Sequence, residues 1–225
     1  MMNNIDKAIK IIKSSSSFVF DFDGVIADSF EVKKIAFSKL YIKYGNEISN
    51  KVLDYHEQGN GGMTRVKKFQ FFHENFLNIE LSDSQIKELC SKFSKLVVQS
   101  VTDCPEIPGV SQFLETCCKK NKTSIINSAT PQDEIKKIVV DRGLNNFFSG
   151  VYGSPNSKEE NFNKIFSKHN INPNNTVFFG DLNSDFYAAE AVGCDFIGIG
   201  DRIDFELIAS KSTNRYAFLD NFENI

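Results

Sequence analysis

SFVFDFDGVIADS, residues 17–29, sets a short apolar run directly before two aspartates. Phe18, Val19 and Phe20 predict a buried strand that gives way to a loop at Gly24. That strand delivers Asp21 and Asp23 at its tip. A buried ionised carboxylate costs several kcal/mol or more unless something pairs it, so a cation and a phosphate-like ligand sharing this space account for both acids. Gly24 lets the chain bend away from such a ligand without a side chain in the way. A DxD pair is also found in plain surface turns and weak calcium-like loops, so its meaning depends on what the rest of the chain brings to it.

Downstream of Gly109 the pattern alternates between helix and strand. Thr123–Asn127, Val151–Tyr152, Thr176–Phe179 and Phe196–Ile199 read as strands, with helical stripes between them. Such alternation predicts an α/β fold: a Rossmann-like parallel sheet with helices on both faces. Ligands in that architecture bind at the carboxyl ends of the strands. Residues 30 to about 100 are different and show helical spacing without a convincing strand. Val32, Ile35, Ala36, Leu40 and Tyr44 form one stripe, Lys51–Gln58 a second helix, and Gly59, Asn60, Gly61 and Gly62 a decisive break. Val66, Phe69, Phe72 and Phe76 follow, and a capping box of Ser82 with Gln85 opens a helix bearing Ile86, Leu89 and Phe93. TDCPEIPG, residues 102–109, is a stiff return linker. The expected organisation is an α/β core of residues 1–29 and 105–225 interrupted by a helical domain of residues 30–104. A short helix over residues 4–13 precedes the first strand. Tyr216–Leu219 is a candidate edge strand in a tail that is otherwise hard to read.

Each predicted strand tip carries a polar group suited to phosphate chemistry. Ser128 follows the strand TSIIN, and Thr130 with Pro131 reads as the N-cap and first position of the next helix. Hydroxyls and exposed backbone N–H groups there suit a phosphate oxygen, although ordinary capping explains them equally. Lys158 falls in the first turn of a helix opened by Ser157 and Glu160. A cation opposes the helix dipole at that end, which calls for a local anion. In TVFFGDLNSD, Asp181 follows an apolar strand and Asp185 comes four residues later. Two acids so spaced repel unless a cation lies beside them.

Together these four segments resemble the motifs of the haloacid dehalogenase-like phosphatase superfamily, in the family's order. FDFDGV matches the nucleophile motif, Ser128 the second, Lys158 the third and Gly180-Asp181 with Asp185 the metal motif. The resemblance implies that Asp21 attacks phosphorus and that Asp23 serves as general acid and base. Ser128 and Lys158 then hold phosphate charge, and Mg²⁺ is the cofactor. Asp21, the Asp23 backbone carbonyl and Asp181 would bind the ion, with Asp185 either beside it or on Lys158. Gly24 and Ala129 are expected to line the phosphate site, and Arg65, in the glycine-rich segment of the insert, to reach the substrate. The insert's position matches the subclass with an α-helical cap, which includes phosphoglycolate phosphatases and β-phosphoglucomutases. The implied activity is Mg²⁺-dependent hydrolysis of a small phosphate monoester, a sugar phosphate or one like phosphoglycolate. A phosphosugar mutase and a catalytically silent phosphate-binding module are the alternatives. Asp23 argues against dehalogenation, because a departing halide needs no proton. Lys33 and Lys34 leave a phosphonoacetaldehyde hydrolase type of Schiff base open.

Composition narrows the partners. The chain has 225 residues, 41% of them hydrophobic, with 22 Phe and no Trp, and a net charge of −3. A phenylalanine-rich core is expected, and there is no electrostatic case for nucleic acid or an anionic membrane. Five cysteines show no metal-finger spacing and suit a reducing compartment, the cytoplasm. His56, His73 and His169 are scattered and form no zinc or iron set. The expected partner is a small phosphorylated metabolite, and the expected assembly a monomer or weak homodimer.

Overall fold

A computed structural model describes residues 3–58 and 63–225. It divides into two compact units, Met1–Asp28 with Pro105–Ile225, and Ser29–Cys104. The Gly59–Gly62 break lies outside the described residues.

The larger unit is built on six strands: β1 (Ser17–Phe20), β2 (Thr123–Pro131), β3 (Gly150–Ser154), β4 (Thr176–Gly180), β5 (Asp195–Ile199) and β6 (Tyr216–Leu219). They form one sheet in the order β3-β2-β1-β4-β5-β6, with every neighbouring pair parallel. The α/β class read from the alternation of elements is therefore the one observed. Six helices accompany the sheet: α1 (Asn4–Ser14), then, after the four helices of the smaller unit, α6 (Val110–Lys119), α7 (Gln132–Asp141), α8 (Lys158–His169), α9 (Asn183–Val192) and α10 (Phe205–Lys211).

β1 is buried along its whole length, as a central strand covered on both faces must be. Val19 points into a cluster with Phe162 and Ile165 of α8, Phe178, Phe186 of α9, and Phe196. Phe18 and Phe20 point the other way, against Phe113 of α6 and Phe179. Phe20 and Phe179 stack with ring centres 4.9 Å apart, and Phe222 closes over Phe179 at 5.6 Å. Buried phenylalanines thus do the work of a core in a chain that has no tryptophan.

Register aligns the strand tips. Phe20 lies beside Ile126 on one side and Phe179 on the other, so Asp21 emerges level with Asn127 and Gly180. The Asp21 N–H donates to Phe179 O at 2.9 Å, carrying the ladder one residue further. β2 runs longer than the sequence pattern predicts. Ser128, Ala129, Thr130 and Pro131 belong to the strand, with a register shift between Asn127 and Pro131 where Pro131 pairs Ser154. Thr130 is therefore not an N-cap; Pro131 holds that place and makes no side-chain cap bond. The hydroxyl that the sequence assigned to a helix end donates instead to Asp23 Oδ2.

The chain leaves and re-enters this unit at adjacent points. Asp28 N–H donates to Pro105 O, Ile107 N–H donates to Ile26 O, both at 2.9 Å, and Ala27 bridges Glu106.

The smaller unit holds α2 (Phe30–Tyr41), α3 (Asn46–Glu57), α4 (Arg65–Phe72) and α5 (Asp83–Asp103). The Ser82–Gln85 capping box opens α5 as expected. On α2 the buried face consists of Ala36, Phe37 and Tyr41, whereas Ile35 is exposed and Tyr44 lies beyond the helix. Aromatic packing decides this. Phe37 meets Phe93 of α5 at 4.1 Å and Phe69 and Phe72 of α4 at 5.5 and 5.9 Å, contacts that the Ile35 face does not offer. Among the described residues no helix is long and apolar enough to cross a membrane.

Phe179 is fully buried and touches aromatic rings of β1, of α6 and of the segment that follows β6. Phe179→Ala is expected to lower stability by about 3–5 kcal/mol in urea denaturation, the usual range for emptying a well-packed aromatic site.

Candidate active site

Three carboxylates meet where β1 and β4 end. Ligand atoms of Asp21, Asp181 and Asp185 all lie within 4.8 Å of one another, and all three residues are buried. Lys158, the first residue of α8, reaches into this group. Its Nζ donates to Asp21 Oδ2 at 2.8 Å and to Asp185 Oδ1. These are the anions that its place at a helix N-terminus called for.

Local structure fixes each member. Ser157 and Glu160 cap α8 reciprocally, which sets the direction in which Lys158 leaves the backbone. Asn127 donates to the Lys158 carbonyl at 3.0 Å, and Asn161 ties Asn127 Oδ1 to the Gly153 carbonyl. Asp185 Oδ2 accepts from the backbone N–H groups of Asp181 and Leu182, each at 3.2 Å, and so satisfies the start of α9. With its other oxygen on Lys158, Asp185 is committed to protein donors. Asp21 Oδ1 accepts from the Phe22 N–H at 2.7 Å.

Asp23 is joined from β2. Thr130 Oγ1 donates to Asp23 Oδ2 at 3.1 Å, and Ser128 Oγ accepts from the Thr130 N–H at 3.1 Å. Ser128 is buried, and Ala129 beside it is half-buried. Gly24 has φ +80°, and a Cβ there would lie 2.3 Å from Asp181 Oδ2, so only glycine permits that approach. Asp181 Oδ2 also accepts from Arg202 Nη2 at 2.9 Å. Its Oδ1 is buried without a hydrogen-bond partner.

Arg65 lies in the smaller unit and is buried there. Its guanidinium donates to Ser94 Oγ at 2.6 Å and covers the Phe93 ring at 4.9 Å. The sequence placed Thr130 at a helix end suited to phosphate, and the structure joins it to Asp23 instead. Arg202 escaped the sequence reading, in a tail without periodicity. The rule that ligands gather at strand tips points to Arg202, which follows β5 by three residues.

Burial pushes the Asp21 carboxyl up to about 6, against the pull of Lys158 and with added repulsion from Asp185 and Asp23. Burial likewise holds Asp181 well above the ordinary carboxylate range, Asp185 and Asp21 adding to it while Arg202 and Lys158 oppose it. Burial works against the Lys158 ammonium, but Asp185 and Asp21 outweigh it and hold its pKa above the ordinary lysine value. The donor set is oxygen-only, strongly anionic and includes a buried oxygen without a partner. That fits a hard divalent cation.

Residues 18–199 match the haloacid dehalogenase-like hydrolase family model. The chain belongs to that family. Among curated relatives, the phosphoglycolate phosphatase of Photorhabdus laumondii is 24% identical over 197 residues, covering 85% of this chain and 83% of that protein. Among solved structures, β-phosphoglucomutase from Clostridium difficile superposes with a TM-score of 0.73 at 18% identity, covering 94% of this chain and 93% of that one. A family IA hydrolase from Entamoeba histolytica gives a TM-score of 0.76 at 17% identity, covering 93% and 95%. These likenesses show the fold. Fold, family and hydrolase class agree with the reading of the four motifs.

In protein stripped of divalent ions, the folded-state pKa of Asp21, about 6, lies above its ordinary value of 3.8. The native state then binds more protons than the unfolded one in this window, so the stability contributed by Asp21 falls as pH rises through it. A divalent cation relieves the ionised site but must displace protons below the window. Adding Mg²⁺ is therefore expected to raise the melting temperature more at about pH 7.5 than at about pH 5. Equal shifts at both pH values would place the ion elsewhere.

Proposed function

We propose that this protein is a Mg²⁺-dependent phosphatase that hydrolyses a small phosphate monoester through an aspartyl-phosphate on Asp21. The observation that carries this reading is Lys158 joining Asp21 to Asp185 beside the partnerless oxygen of Asp181. The superfamily match and the phosphoglycolate phosphatase relatives support it.

The first step forms a bond from an Asp21 carboxylate oxygen to phosphorus and breaks the bond from phosphorus to the ester oxygen. Asp23 gives a proton to that departing oxygen. In the second step Asp23 takes a proton from water, which attacks phosphorus and frees Asp21. Thr130, through its bond to Asp23 Oδ2, orients that carboxyl from β2. Lys158 neutralises nucleophile and phosphoryl charge, Ser128 with the Ala129 backbone lines the phosphoryl oxygens, and Gly24 keeps the approach clear. Asp21, Asp23 and Asp181 would hold Mg²⁺, with Asp185 behind them on Lys158. The ion, when bound, supplies electrostatic stabilisation of the transition state.

The helical unit, Ser29–Cys104, is read as the cap that selects the substrate, with Arg65 as its anion-recognising group. Arg65 stands on the face of Phe93 and on Ser94, which fixes its guanidinium rather than leaving it in solvent. The substrate class is a sugar phosphate, a phosphorylated polyol or phosphoglycolate. The odd count of five cysteines suits the reducing cytoplasm.

The likeness to β-phosphoglucomutase favours one second reading, a phosphosugar mutase. The two differ in where the phosphoryl group of Asp21 goes. Supplying a hexose 1-phosphate separates them: inorganic phosphate marks the phosphatase, and a hexose 6-phosphate the mutase.

Asp21→Asn is expected to abolish Mg²⁺-dependent phosphate release from p-nitrophenyl phosphate. Asp23→Asn is expected to slow it by about 10²–10⁴, the usual share of general acid–base catalysis. Near wild-type turnover of Asp21→Asn removes the nucleophile. Arg65→Ala is expected to raise KM on the best substrate of a phosphometabolite panel, and an unchanged KM removes Arg65 from recognition.

A further inference from the structure

The aliphatic stripe of α1 does not all go into the core. Ala8 and Ile11 are buried, whereas Ile9 and Ile12 are half-buried and form one wall of a cavity of about 270 Å³ beside α6. Its floor is apolar and packed, made by Phe18 of β1 with Phe113 and Cys117 of α6. Burial pushes the Cys117 thiol up to about 12, so the floor offers packing and no nucleophile. The cavity lies at the amino-terminal end of the strand. Phe18 stands three residues before Asp21, roughly 10 Å back along β1, so an occupant here does not enter the catalytic edge.

The rim is cationic. Lys13 comes from the last turn of α1, Lys120 follows α6 and Lys122 precedes β2. No acidic side chain lines the cavity, and among the described residues none of these three lysines forms an ion pair. Lys122 Nζ donates to Ser15 O and lies 6.0 Å from the centre of the Phe18 ring, which holds one ammonium over the floor. Lys13 and Lys120 are exposed. A helix C-terminus favours a cation, and that preference accounts for lysines at the ends of α1 and α6. It does not account for the half-buried isoleucines and the aromatic floor between them.

We infer that this cavity is a second binding site, separate from the catalytic edge, for a small amphipathic organic anion. Its ligand has a short acyl chain or a single aryl ring as body and a carboxylate as head. The volume falls just under the range of ordinary ligand pockets, which excludes a larger body. The apolar part lies on Phe18 and Phe113 against Ile9 and Ile12, and the carboxylate accepts from the lysines of the rim. On a chain of net charge −3 the match is local, set by these three ammonium groups and not by the field of the whole protein.

Octanoate is the probe, titrated into isotope-labelled protein at fixed ionic strength and followed by NMR. It is expected to saturate with a Kd below about 1 mM and to move the amide signals of Ile9, Ile12, Phe18 and Lys122. Octanamide, equally long but uncharged, is expected to bind about tenfold more weakly. Octanoate is expected to bind Lys13→Gln/Lys120→Gln roughly three- to tenfold more weakly, the scale of two exposed charge contacts. Ile12→Asp, which sets an acid in the wall, is expected to abolish binding; should it fail to fold, the double variant at two exposed positions still decides. Equal affinity for octanamide, or an unchanged Kd in the double variant, overturns the proposal. So do the absence of saturation and signal shifts confined to the surroundings of Asp21 and Lys158. The readout is binding, so its outcome is independent of whether Asp21 turns over a phosphate ester.

Discussion

The Lys158 ammonium, held between Asp21 and Asp185, is the contact around which the larger unit is arranged. Three charged groups taken out of water on this scale are a poor way to gain stability. A buried ion pair or triad is often matched or bettered by well-packed apolar residues. Removing one partner is another matter, because it leaves a charge stranded. The surrounding structure reads as protection against that loss. The capping box of α8 and the Asn127–Asn161 link hold Lys158, two backbone N–H groups hold Asp185, and the Phe22 N–H holds Asp21. Such pre-set charge is what phosphoryl chemistry needs, since a site that must reorganise during the reaction gives up most of its electrostatic advantage.

The sheet order explains how residues so distant in sequence meet. β1 sits between β2 and β4, and all three run the same way, so their tips share one edge. The crossover from β3 to β4, which passes β2 and β1, and the one from β4 to its neighbour β5 place Lys158 and Asp185 at the first turns of helices opening on that edge. Phenylalanine rings on both faces of β1 anchor this geometry, because a shift of the strand would have to disturb two packed aromatic clusters at once.

Much of this was legible in the sequence, and the reasons differ from place to place. The tip of β1 could be read because an apolar run ending in two acids has few physical explanations. Both capping boxes could be read because reciprocal caps depend on neighbours in the chain alone. Thr130 and Pro131 were misread for the same reason. Ser-Ala-Thr-Pro has the local chemistry of a helix start, and only pairing with Ser154 on β3 makes it strand. On α2 the aliphatic stripe gave way to Phe37 and Tyr41, which meet aromatic partners on two other helices that no window of sequence contains. Arg202 had no periodic context at all. The acid it meets, Asp181, follows a different strand, and a Cβ on residue 24 would collide with both groups.

The short clasp at Ile26–Asp28 and Pro105–Ile107 has an evolutionary corollary. An insert whose two ends are already stapled together by its host places few demands on the host's topology. A change in the length or packing of the helical segment then leaves the register of the strands to their own pairing.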